Sequence, residues 1–182
     1  MRNNLKDDPR YSNHESRPDL AGEHPQGDFF QLLIFLLFAA VVLIDHFLLG
    51  WAAECRSFVP FGIRLPISLA LILVGLYMAF EGIHMVFSEY TEQPRMVTSG
   101  LFSLMRHPVY LGALIIYVGL LVLILSPLAF LAFLGAILLY NWLALDEERR
   151  MQIVFGDQYK SYCQQTPRWL PRLNSRNKKI RR

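Results

Sequence analysis

The chain has 182 residues, 53% of them hydrophobic and 18% charged, with a formal net charge of +3 at pH 7. That length allows one domain, but the charges are too unevenly placed for a soluble one. No charged side chain occurs from Pro108 to Leu145, a run long enough to cross a bilayer twice and too long for a soluble core helix.

In chain order, residues 1–28 are polar, mixed in charge and rich in turn formers. They lack the apolar centre of a signal peptide, so they predict a loosely ordered cytoplasmic arm. Phe29–Leu49 reads as the first membrane span, with Asp45 and His46 at its outer end as interfacial residues, and Pro66–Phe87 reads as the second. The last apolar block is broken by Ser126-Pro127. Proline suits a first helical turn and disrupts an interior, so a hairpin is expected there, between spans 109–125 and 127–145. The predicted fold is an all-α, integral membrane bundle of about four helices, followed by a helical cytoplasmic segment over 149–171 and a basic tail over 172–182.

No acidic residue follows Asp157, whereas Arg168, Arg172, Arg176, Lys178, Lys179, Arg181 and Arg182 do. The positive-inside rule puts this end in the cytoplasm, and four spans put the N-terminus and the Ser88–His107 loop there too. Arg56 and Arg64, in the outer loop, run against that assignment. The final "RLNSRNKKIRR" is expected to touch anionic lipid. Cys55 and Cys163 fall on opposite sides of the membrane, where they cannot pair, and they fit no metal spacing. The absence of a GxGxxG loop argues against a soluble dinucleotide domain. No metal and no nucleic-acid partner are expected.

Charge is informative at two helix ends. Arg106 and His107 precede Pro108 at the expected start of the third span, and Asp146, Glu147 and Glu148 stand at the expected end of the fourth. Each group has the wrong sign for its own helix dipole. Two readings stand. An Arg106–Glu147 or Arg106–Glu148 ion pair staples the two helices, or the opposed charges hold the carboxylate and ammonium of a zwitterionic ligand. Ionisable residues inside a span are costly and usually functional. Glu81 and His84 lie three apart on one face of the second span, at the depth of Arg106. They form either an internal hydrogen-bonded pair or a catalytic base. His46 lies about 20 Å from them in depth, too far to share a metal ion.

Two stretches, "VTSGLFSLMRHPVYLG" and "EERRMQIVFGDQYKSYCQQTPRWLP", together resemble the isoprenylcysteine carboxyl methyltransferases and the related phospholipid methyltransferases. The family order is an Arg-His-Pro-x-Tyr motif, an apolar hairpin, a Glu-Glu pair, Phe-Gly-x-x-Tyr-x-x-Tyr and a closing proline. The resemblance implies S-adenosylmethionine as methyl donor. It assigns donor binding to Arg106, His107, Pro108, Tyr110 and Gly112, to Glu147 and Glu148, and to Phe155, Tyr159 and Tyr162. Two positions depart from the family: Leu101-Phe102 replaces the usual Pro-Tyr, and Leu143 stands where relatives often carry arginine.

Phe155, Tyr159 and Tyr162 fall on one face if their segment is a single helix, and they either cover an adenine ring or pack on the bundle. The implied activity is methyl transfer at the cytoplasmic side to a lipophilic acceptor: a prenylated cysteine, a phospholipid amine, a quinone-like lipid or a hydrophobic thiol. For a protic acceptor, Glu81 or His84 is the candidate base. Membrane sterol reductases, which use NADPH, share an Arg-His-Pro segment and a similar tail and give an alternative reading. A non-enzymatic membrane scaffold, with every charge pair structural, is another.

Overall fold

The computed structural model describes residues 24, 26–88 and 93–170. Nearly all of the predicted arm and the basic tail lie outside the described residues. The described chain is helical, with no strand among those residues. Helix α1 (Gly27–Ile44) widens into one π-helical turn (Asp45–Leu49), and a short α2 (Trp51–Phe58) follows. Then come α3 (Phe61–Phe87), a single turn α4 (Leu101–Leu104), α5 (Pro108–Ile124), α6 (Pro127–Phe155) and α7 (Asp157–Gln165). Three helical stretches, Gly27–Leu49, Phe61–Phe87 and Pro127–Phe155, are long and apolar enough to cross a membrane. The fourth apolar helix, α5, has 17 residues, or about 26 Å at the helical rise, and falls short of a ~30 Å hydrocarbon core.

The expected hairpin is present, and its chemistry is local. Leu125 takes a left-handed conformation (φ 51°), Ser126 accepts a hydrogen bond from the Ala129 N–H at 3.0 Å, and Pro127 opens α6. Two boundaries differ from the sequence reading. Helix α3 begins at Phe61 behind Pro60, leaving Pro66 inside it; only the Gly62 carbonyl loses a helical partner. Helix α6 does not stop at Asp146–Glu148 but runs on to Phe155, about 44 Å in all. Its charged end still forms helix well, with Arg150 bound to Asp146 one turn back at 2.7 Å, and only Gly156 (φ 52°) ends it.

Arg64, an objection to the topology by charge count, is buried. Its guanidinium donates to the Val59 carbonyl at 2.9 Å and to the Leu123 carbonyl in the last turn of α5, where a cation suits the helix dipole. Asp45 is fully buried within the protein and accepts from the Ala52 N–H at 3.3 Å, tying the π turn to α2. His46 is exposed beside Phe47.

Helices pack in the order α3, α5, α6, α1. Between α3 and α5 the backbones touch. A Cβ on Gly112 would lie 2.7 Å from the Gly75 carbonyl oxygen, and one on Gly75 would lie 2.5 Å from the Gly112 oxygen. Ser68, Gly75 and Gly82 recur every seventh residue on α3, and Gly112 and Gly119 do so on α5, a small-residue seam of the kind that lets membrane helices approach closely. Phe38, Tyr117, Ala136, Tyr140 and Leu143 fill the core between α1, α5 and α6.

Candidate active site

The N-terminal end of α1, the C-terminal end of α3, the start of α5 and the charged end of α6 converge on a cavity of about 380 Å³. The α5 side supplies Arg106, His107, Pro108 and Tyr110, and α6 supplies Glu147 and Met151. Tyr159 and Tyr162 of α7 line it, as do Phe102 and Arg95 from the α3–α5 connection. On the remaining sides lie His24, Gly27, Asp28 and Gln31, opposite Ile83, Val86 and Phe87.

Beside the cavity is a dense charge cluster. Glu148 receives Arg106 Nε at 3.1 Å and is bound by both Nε and Nη2 of Arg168 at 2.7 Å. Such two-pronged guanidinium contacts fix orientation as well as charge. Arg106 also donates to the Cys163 and Thr166 carbonyls, each at 3.3 Å, and its backbone N–H donates to the Pro167 carbonyl at 3.0 Å. The Cys163 and Thr166 carbonyls lie at the C-terminal end of α7. Arg106 therefore opposes the dipole of α5 but complements that of α7, which answers why a cation sits at an N-terminus. The acids likewise sit two turns inside α6, not at its end.

His107 is buried between the two carboxylates, with Nδ1 3.5 Å from Glu147 and Nε2 3.2 Å from Glu148. Burial alone would lower its pKa, but the hydrogen bonds and charges of Glu147 and Glu148 outweigh it and leave the pKa raised. Its ring lies parallel to Tyr110 at 5.7 Å, and the Tyr110 hydroxyl donates to Glu147 Oε1. Glu147 is thus oriented by two neighbours while its carboxylate lines the cavity. Tyr162 donates to the Phe102 carbonyl at 2.6 Å, closing α7 over α4. Burial pushes the phenols of Tyr159 and Tyr162 up, so both stay neutral.

Of the residues singled out by sequence, Arg106, His107, Pro108, Tyr110, Glu147, Tyr159 and Tyr162 meet at the cavity. Glu148 turns toward α7 and stays behind the cavity wall. Phe155 does not line it, because Gly156 separates its helix from that of Tyr159 and Tyr162 and breaks their expected common face. Gly112 lies in the α3–α5 seam, where its lack of a side chain serves packing. Glu81 and His84 do not line the cavity either. Gly82 faces α5, so His84, about 200° further round, points outward and is exposed, stacked on Phe80 at 6.2 Å.

The sequence reading passes over Arg95, Gln31, Met151 and the clamp role of Arg168, and it groups His24 and Asp28 with the arm. Arg95 donates to the Met85 and Val86 carbonyls at 3.4 and 3.3 Å, at the end of α3. An arginine soon after a helix end, and a lone glutamine in an apolar helix, are the signals that point to these positions.

The chain spans about half the length of the curated plant relatives it matches. It is 34% identical over 94 residues to protein-S-isoprenylcysteine O-methyltransferase B of Arabidopsis thaliana, covering 50% of this chain and 47% of that protein. A probable protein-S-isoprenylcysteine O-methyltransferase of Oryza sativa subsp. japonica matches at 34% over 91 residues, 48% of this chain and 47% of the relative. Methanethiol S-methyltransferase 1 of Bradyrhizobium diazoefficiens matches at 35% over 99 residues, 54% of this chain and 33% of its own. The family model described as phospholipid methyltransferase matches residues 61–158, from the start of α3 through the glycine seam, the Arg106 cluster and the acidic pair into α7. The chain therefore belongs to the phospholipid methyltransferase family.

Proposed function

We propose that this protein transfers a methyl group from S-adenosylmethionine to a lipophilic acceptor at the cytoplasmic end of its membrane bundle. The observation that carries the reading is the composition of the cavity wall. The oriented Glu147 carboxylate, two arginines and the rings of Phe87, Phe102, Tyr110, Tyr159 and Tyr162 line one space. The donor's methionine end is a zwitterion: Glu147 would hold its ammonium, and Arg95 and Arg106 its carboxylate. Tyr159, Tyr162 and Phe102 would flank its adenine. When bound, the donor supplies an electrophilic methyl carbon on a sulfonium.

What remains for the protein is positioning and exclusion of water, which can supply much of the acceleration of a displacement. The clamp of Arg106 and Arg168 on Glu148 holds α7 in place, and α7 presents Tyr159 and Tyr162 to the cavity. The apolar wall of Ile83, Val86 and Phe87 on α3, a helix long and apolar enough to span a membrane, supports delivery of the acceptor from the bilayer. The basic C-terminal residues support a cytoplasmic location for this end. The relatives' names, isoprenylcysteine O-methyltransferase and methanethiol S-methyltransferase, are in keeping with methyl transfer.

The test is transfer of a labelled methyl group. Purified protein in lipid nanodiscs should move label from the donor into an organic-extractable product, and Glu147→Gln should suppress it. Failure of the wild type to label lipids, prenylcysteines, amines or thiols, with the protein shown folded, would remove the proposal.

A further inference from the structure

Helix α1 lies outside the residues that the family model matches, yet it forms a wall of the cavity. From Gly27 to Ile44 its side chains are apolar except for Asp28 and Gln31. These two stand three residues apart, on one face, and both line the cavity. A helix-dipole role accounts for an acid in the first turn, but it leaves Gln31 unexplained. Polar side chains of an apolar membrane helix that line a cavity are functional candidates by default.

We propose that Asp28 is the proton acceptor for the methyl acceptor, that Gln31 positions it, and that the acceptor is therefore a lipophilic thiol. This rests on the methyl-transfer reading above. Charge carries the choice. Arg106 is committed to Glu148 and the end of α7, and Arg95 contacts the end of α3; the donor's own carboxylate takes what they have left. An acceptor carboxylate would then meet the Asp28 carboxylate with Arg95 and Arg106 already engaged, a like-charge contact that disfavours it. A thiol arrives neutral. As its sulfur lone pair forms the new S–C bond, the donor's C–S bond breaks and its electron pair stays on the donor sulfur. The S–H becomes strongly acidic as positive charge builds on the attacking sulfur, and its proton passes to Asp28, which later releases it to water. An amine offers no such gain, because a methylated ammonium holds its proton well above the range of a carboxylate. Relatives named for both oxygen and sulfur acceptors leave the atom open at the family level.

The experiment measures donor affinity and single-turnover methylation in nanodiscs with dodecanethiol, dodecylamine and N-acetyl-S-farnesylcysteine as acceptors. The proposal expects the thiol to be preferred. Asp28→Asn should slow its methylation by about 100-fold or more, with donor affinity within about twofold of wild type and thiol KM little changed. Asp28→Glu should restore part of the rate, and Gln31→Leu should raise KM for the thiol, as loss of a positioning contact does. Preference for the farnesylcysteine carboxylate or the amine, full turnover in Asp28→Asn, or no methylation by protein that binds donor would each overturn it. Absence of donor binding by the wild type would instead overturn methyl transfer itself, and this proposal with it.

Discussion

Glu148→Gln separates the clamp from the cavity. The Glu148 carboxylate contacts Arg106, Arg168 and His107, and the side chains of Glu148 and Arg106 are only 13% and 12% exposed. Removing one partner of such a buried ion pair costs about 3–5 kcal/mol, because the other charge is left uncompensated. Arg168 is 29% exposed, so water screens it and its share is smaller, at most about 1 kcal/mol. The substitution weakens the bonds that dock α7 and residues 166–170 onto α5 and α6. The cost should therefore appear as local release of that segment, not as unfolding of the glycine-seamed bundle. Hydrogen exchange in nanodiscs should show protection over 157–165 falling by about 100-fold, the equivalent of roughly 3 kcal/mol, while protection in α3 and the apolar part of α6 is retained. Wild-type protection of α7 in the variant would refute the clamp. So would equal loss of protection throughout the chain.

Three further outcomes rest on the same geometry. The pKa of His107 is raised above 6.5, so its contribution is fully present below that pH and is lost as pH rises through the higher folded value; thermal stability should fall on the alkaline side, and His107→Gln should flatten that dependence. Gly112→Val forces the α3 and α5 backbones apart and should cost about 1–3 kcal/mol in thermal unfolding, with donor affinity per folded molecule unchanged; an undiminished Tm would contradict the seam. Tyr162→Phe removes the 2.6 Å bond to the Phe102 carbonyl and should raise protease sensitivity at α7 modestly, by about 1 kcal/mol of local stability.

What sequence reasoning captures and misses here follows from the range of each signal. The Ser126-Pro127 hairpin is local chemistry, a capping hydroxyl and a pre-set φ, and it stands where expected. The end of α6 is a different matter, because apolarity and helicity stop at different places. The charge run from Asp146 marks where the apolar sequence gives out, while the helix continues to the glycine at 156. That difference undoes the dipole argument for the acids and the shared face of Phe155 with Tyr159. The Glu81–His84 pair has functional spacing, but the face turned inward is set by Gly75 and Gly82 packing on α5, and spacing within one helix does not report its neighbour. Arg106 and Glu147 are found by charge at an apolar boundary. That Arg106 serves α7 depends on a contact sixty residues away in sequence, beyond the reach of any periodicity.

Whether this cavity holds the methyl donor by its zwitterionic end is decided by isothermal titration of the purified protein with S-adenosylmethionine. Binding to the wild type should be saturable, and NADPH should not displace it. Glu147→Gln, which keeps an acceptor for the Tyr110 hydroxyl but removes the charge, should weaken it at least tenfold per folded molecule, or about 1.4 kcal/mol. Saturable NADPH binding in its place, or donor affinity indifferent to the charge at Glu147, would rule out a zwitterion-binding donor site here.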